Sequence, residues 1–244
     1  MKLNIAVACN EALAIWKRDR DVIAAVAGVF FFLPNLALAL FMRVTTVTAR
    51  IDAPDDQALL ASMQSYLVEN APLLAFQMVA ELVGVAVLLA LLLDPARPTV
   101  GEAMRSVARR LPVLVAATML LNIAIVGGMA LFIVPGLYVI GRAALVMPVL
   151  LGEPERRFGD AIGRALDLTR GKVAQLLSIW ALIFIGAYFL QIILQSVARA
   201  ASSGGSNPVT AAIVAVITSA VSMATAMAYT LVRATIYRRL ASKG

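Results

Sequence analysis

Six apolar stretches, at residues 22–42, 71–93, 111–134, 137–151, 174–193 and 209–232, leave this 244-residue chain little polar surface with which to meet water. A hydrocarbon layer about 30 Å thick takes about 20 apolar helical residues to cross. Five of the stretches meet that length, and residues 137–151 fall short of it. In lipid, every backbone N–H and C=O must find its partner inside the chain, so segments of this kind cross as helices. The expected fold class is all-α: a polytopic integral membrane bundle of six transmembrane helices. It forms a single membrane domain over residues 1–244, opened by a cytoplasmic interfacial helix at residues 1–21.

Composition narrows the chemistry. With 61% hydrophobic and 14% charged residues, the chain lies far from the roughly 25% charged content of a globular domain. The single Cys9 excludes an internal disulfide, and the absence of His removes the commonest general base and metal ligand. No catalytic residue, metal site or cofactor is expected, and no phosphate-cradling Gly-rich loop or Ser–base arrangement is present. The net charge of +7 comes from bases that flank apolar spans without forming a stripe, so nucleic acid is not an expected partner. Residues 1–21 mix Lys2, Lys17, Arg18 and Arg20 with Glu11, Asp19 and Asp21, which is long and mixed in charge for a signal peptide. Residues 37–39, Ala-Leu-Ala, imitate a cleavage site, but the span continues to Met42 and reads as a retained anchor.

The bases also orient the chain. Alternating loops place the N-terminus, residues 94–110, residues 152–172 and the C-terminal tail on one side, with 17 of the 21 Lys and Arg. The other side has Arg43, Arg50 and Arg199, so the positive-inside rule puts both termini in the cytoplasm. Arg142 is the one base this division leaves inside a span. In the first outer loop, residues 56–70 can form an amphipathic helix or a solvated connector, and the connector is favoured. Residues 201–208 read as a flexible turn. Between the third and fourth spans, Pro135 and Gly136 are expected to reverse the chain at the membrane face.

Three segments on the basic side share a pattern: residues 9–20, 100–111 and 158–171 each carry an acid, then Ala and an apolar residue, then bases. Glu11, Glu102 and Asp160 would fall in first helical turns, with Arg18, Arg109 and Arg170 further along. Such helices suit a membrane surface with anionic lipid. They allow either three repeated units of interfacial helix plus hairpin or the ordinary appearance of helices entering a membrane. Arg105, Arg109, Arg164 and Arg170 are the expected contacts for lipid or a partner protein.

Within the spans, Glu81 lies ten residues into the second, where an ionised group costs about 2.5–3.5 kcal/mol on insertion scales unless paired, protonated or wet. Arg142 is its expected partner, directly or through water, as either a functional pair or a structural clasp. Asn35, Gln77, Asn122 and Gln191, with Gln195, can line a cavity or bond between helices. The last span places Ala211, Ala215, Ser219, Ser222 and Ala226 on one stripe, which reads as a packing surface for a neighbouring helix or for self-association. Pro34, Pro112 and Pro148 are expected to kink or end spans, Pro148 unwinding the short fourth one.

The stretch from Phe132 to Glu153, followed by residues 158–177, resembles a family of bacterial inner-membrane proteins that includes the membrane domain fused to some glycerophosphodiester phosphodiesterases. The likeness rests on Pro135-Gly136 with Arg142, on Glu153, and on the Arg164, Leu168, Gly171 pattern. It implies a six-helix membrane domain. It does not imply phosphodiesterase activity, whose catalytic barrel is a separate soluble domain in those fusions. Two functions follow as expectations: a non-enzymatic module that binds or organises membrane lipid or a partner protein, and a small permease or flippase-like transporter using an intramembrane Glu/Arg pair. A cavity reaching Glu81 would favour the second, and a closed dry bundle the first.

Overall fold

A computed structural model describes residues 5–42, 56–153, 155–201 and 208–242. The described chain is a helical bundle of α1 (Ile5–Ala27), a π-helical turn (Gly28–Phe32), α2 (Leu33–Phe41), α3 (Asp56–Leu93), α4 (Val100–Leu131), α5 (Ile133–Ala143), α6 (Val146–Gly152), α7 (Phe158–Thr169), α8 (Val173–Ala201) and α9 (Pro208–Ala241). Six of its helical segments are long and apolar enough to cross a membrane: Cys9–Phe41, Gln64–Leu93, Val100–Leu131, Val134–Gly152, Val173–Val197 and Val209–Ala241. The protein is thus a multi-pass helical membrane protein. Arg43, Arg50 and residues 202–207 of the expected turn lie outside the described residues.

Local sequence explains where the helices start, bend and stop. Thr99 caps α4 reciprocally with Glu102: the Glu102 N–H donates to the Thr99 hydroxyl at 3.4 Å, and the Thr99 N–H donates to the Glu102 carboxylate at 2.7 Å. Pro112 leaves α4 unbroken, so the expected interfacial segment and third span are one helix of 32 residues. Residues 56–70 are likewise the first turns of α3, continuous with the second span rather than a separate connector. The first unit bends at Asp19, which has φ −116° and ψ 24° inside α1. Of the three expected interfacial helices only α7 stands apart, closed by Gly171 at φ 71° in the left-handed region that favours glycine. Asp160 occupies the first turn of α7 as expected, whereas Glu11 lies beyond the first turn of α1 and pairs with Arg239 of α9.

The reversal between the third and fourth spans falls at Phe132, extended at φ −165° and ψ 156°, not at Pro135 and Gly136. Those two residues sit in the first turn of α5, where proline's missing N–H would have had no helical partner. Gly136 instead serves contact: it faces Gly128 of α4, and a Cβ on Gly128 would lie 3.0 Å from the Gly136 Cα. The fourth span breaks between α5 and α6, at Leu145 with φ −101° and ψ 1°. Pro148 accounts for the break, since it cannot donate to the carbonyl four residues back and its ring crowds that carbonyl.

Packing is uneven along the bundle axis. The end that carries the termini holds most of the core: Val87, Leu88 and Leu89 of α3, Leu145, Val146 and Val149 about the start of α6, and Ala234 and Ile236 of α9. Phe31, brought inward by the π-helical turn, is fully buried against Gly84, whose Cβ would collide with the Phe30 and Phe31 side chains. At the far end, large apolar side chains such as Ile123, Leu131, Phe132, Phe189 and Val197 remain exposed. Such a surface would drive association in water, and hydrocarbon is its natural solvent.

Candidate functional site

Glu81 is where the spans converge around open space. Twelve residues separate it from Leu93 at the end of α3, about 18 Å at the helical rise, near the middle of a hydrocarbon core. Three adjoining cavities share it. One, of about 360 Å³, is the most polar of the three: Asn35 of α2, Gln77 of α3, Gln191 of α8, and Ser222 and Thr225 of α9 line it, with Phe184 and Tyr188. Another, of about 620 Å³, is apolar, with Met129, Leu137, Leu177, Trp180 and Phe184 in its wall. The third, of about 400 Å³, lies against α4 and the broken fourth span, with Thr118, Asn122 and Met147. Glu81 is exposed to this space.

Of the expected lining residues, Asn35, Gln77, Asn122 and Gln191 reach it, and Gln195 lines none of the three cavities. Gln77 donates to the Asn35 side-chain oxygen at 3.1 Å, and Asn35 in turn donates to the Phe31 carbonyl at 2.8 Å, tying α3 to the kinked first span. Gln191 donates to the Ser222 hydroxyl at 3.4 Å across α8 and α9. Asn122 turns back to the Thr118 carbonyl of its own helix at 2.9 Å. On the small-residue stripe of α9, Ala215 and Ser219 are buried, whereas Ser222 and Ala226 line the polar cavity.

The expected partner of Glu81 is replaced. Arg142 lines none of the three cavities. Its guanidinium donates to the Leu166 carbonyl and, at 3.4 Å, to the Thr169 hydroxyl, in the last turn of α7, with the Tyr138 ring centroid 5.5 Å away. The final carbonyls of a helix lack intrahelical donors and carry the negative end of its dipole, which makes them a good seat for a cation. Arg142 therefore pins α7 to α5 and does not serve Glu81.

The base that shares Glu81's space is Arg233 of α9, present in both the apolar cavity and the one beside α4. The two groups are near enough to influence each other's charge but make no direct ion pair. Arg233 lies 4.5 Å from the Trp180 ring centroid, and Tyr229 stacks on Trp180 at 5.0 Å with its hydroxyl donating to the Trp180 carbonyl at 3.1 Å. A cation–π contact supplies about 0.5–2 kcal/mol, less than the roughly 2.5–3.5 kcal/mol that insertion scales charge a central arginine. The remainder falls to Glu81, to water, or to a bound group. Among the described residues, the Arg233 Nε and the Trp180 Nε1 are both buried without a hydrogen-bond partner.

Sequence reasoning assigned Arg233 to the tail because a span drawn from hydropathy ends at the first charge. The available signal was register: Ser222, Ala226, Tyr229 and Arg233 follow one another at spacings of four, three and four residues, and the first three line the polar cavity. Among the other bases, Arg105, Arg109 and Arg170 are exposed near the terminal end, whereas Arg164 is half-buried beside Glu153, their nearest N and O 3.8 Å apart. Glu153 also pairs with Arg156 and accepts from the Tyr237 hydroxyl at 3.1 Å.

Apart from Pro135 and Gly136, the residues that carry the resemblance thus form one structural clip. Arg142 holds the end of α7, Glu153 holds Arg164 within it, Leu168 is buried, and Gly171 makes the following turn. Among the described residues no cluster of His, Cys, Asp and Glu is arranged to hold a metal ion. No protein-family model, no curated protein and no solved structure matches this chain.

Proposed function

We propose that this protein is a small flippase-like transporter of a bacterial inner membrane, taking an amphipathic molecule from the lipid into the space around Glu81 and Arg233. The observation that carries this reading is the convergence of a polar and an apolar cavity on one carboxylate at mid-depth. A lipid-like molecule has the matching division: its headgroup meets the amides and hydroxyls, and its chains meet Leu137, Leu177 and Phe184. The uneven packing supports it too, since the end far from the termini leaves lipid a lateral route to the cavities. The excess of bases on the terminal side supports a cytoplasmic location for both termini. No bond-making step is involved.

A second reading keeps a specific observation of its own. Arg105 and Arg109 are exposed along one side of α4, which suits a module that gathers anionic lipid or a partner protein at the cytoplasmic face.

Reconstitution separates the two. Liposomes of phosphatidylethanolamine and phosphatidylglycerol containing a fluorescent phosphatidylethanolamine are bleached from outside by dithionite. The transporter reading expects the protein to expose the inner-leaflet probe, and Glu81→Gln and Arg233→Gln each to slow this at least about tenfold, the effect of a lost charge-assisted contact. Bleaching by the wild-type protein that stays at the protein-free level would refute transport of such lipids. Charge reversal at Arg105 and Arg109 should leave the rate unchanged.

A further inference from the structure

Three arginines meet at the terminal face, away from the central cavities. A notch of about 400 Å³ lies between the kink of α1, the loop joining α3 to α4, and the last turns of α9. Its floor is apolar, with Ile23, Leu88 and Leu92 all buried. Its rim carries Arg18, Asp19, Asp94, Arg97 and Arg238.

The carboxylates on this rim are already engaged. Asp19 accepts from Arg18 at both Nε, 2.9 Å, and Nη2, 2.6 Å, which neutralises that pair. Asp94 turns into its own loop, accepting the Ala96 N–H at 2.8 Å. Two guanidiniums remain against the single charge of Asp94, so the rim is net positive. Arg238 donates to the Leu92 carbonyl, which occupies one of its five N–H groups. Arg97 makes no ion pair or side-chain hydrogen bond among the described residues, and its charge bears on Arg238 as a like charge. Its backbone is at φ 49°, a left-handed conformation that costs any residue with a Cβ. Asp19 also feels the charges of Arg97 and Arg238, and the loop holds Arg97 against backbone preference at the depth where the second span ends.

We propose that this notch binds a phosphate group, and that its source is the headgroup of an anionic phospholipid. Two arginine forks on one rim match the oxygens of a phosphate. The apolar floor directly below them accepts the first part of an acyl chain, which free phosphate does not have. The site shares no residue with the Glu81 cavities and does not rest on the transport reading.

Delipidated protein in dodecyl maltoside is titrated with dioleoylphosphatidylglycerol, dioleoylphosphatidylcholine and inorganic phosphate, with occupancy read by native mass spectrometry. One phosphatidylglycerol should bind at least about fivefold more tightly than phosphatidylcholine, and Arg97→Gln should remove most of that preference, as expected when a charge-assisted contact is lost. Arg238→Gln should do the same, with thermal unfolding measured alongside because it also loses the bond to Leu92. Arg97 is exposed in a loop, so its variant decides the matter where Arg238→Gln fails to fold. Arg157→Gln, exposed just before α7 and outside the notch, should bind as the wild type. Unchanged phosphatidylglycerol affinity in Arg97→Gln overturns the site, and displacement of the lipid by millimolar inorganic phosphate overturns the lipid as its source.

Discussion

The close approach of α4 and α5 at Gly128 and Gly136 gives a sharp stability prediction. A Cβ added at Gly136 would lie 2.9 Å from the Met129 amide nitrogen and 3.0 Å from its Cα, backbone atoms that cannot rotate away. Gly127, the residue before Gly128 and exposed on the lipid side of α4, has nothing within 4 Å of the same added atom. Both positions are helical, so the roughly 0.5–1 kcal/mol that alanine gains over glycine in a helix applies to each and largely cancels in the comparison. What remains is the overpacking cost at Gly136, about 1–3 kcal/mol. Gly136→Ala should be the less stable of the two by about that amount, and Gly127→Ala should match or exceed the wild type. Unfolding of the purified variants in one detergent, by heat or by sodium dodecyl sulfate titration, measures the difference. Because Met129 and Leu137 also line the apolar cavity, Gly136→Ala should slow lipid transfer while Gly127→Ala leaves it unchanged. Equal stability of the two variants would refute the close-approach argument.

Two further predictions concern the terminal end. Thr99→Ala removes the capping hydroxyl of α4 and should destabilise by about 1 kcal/mol, read by the same unfolding assay, with amide exchange accelerated in the first turn of α4. Glu153→Ala leaves Arg164 and the Tyr237 hydroxyl without their shared acceptor and should cost about 1–3 kcal/mol, more than the roughly 0.5–1.5 kcal/mol of Tyr237→Phe, which removes one bond only. A larger loss from Tyr237→Phe would mean that Glu153 is not the centre of that cluster.

The six spans were legible because lipid leaves hydropathy and length as nearly sufficient signals. What the sequence blurred were the ends of helices and the partners of charges. A hydropathy span stops at its first charge, so Arg233 was counted with the tail, although α9 runs on to Ala241 inside the bundle. Arg142 was matched to Glu81 as the remaining intramembrane base. Its partners are main-chain and hydroxyl oxygens at the end of α7, and a backbone acceptor presented by another helix leaves no mark in side-chain composition. The amides were more legible: Asn35, Gln77, Asn122 and Gln191 stand out in apolar surroundings, and all four line the space around Glu81. By residue type Pro135 and Gly136 suggest a turn, but a proline just inside a helix start and a glycine at a crossing satisfy the same preferences.

Proline at position 148 also has a consequence for recognition. Having no amide hydrogen, it leaves the Ala144 carbonyl without its usual helical donor, and Ala144 borders the cavity beside α4. A main-chain oxygen freed in this way, deep in hydrocarbon, favours a guest that brings a hydrogen to share. Amine- or hydroxyl-bearing headgroups should therefore be held there in preference to fully methylated ones.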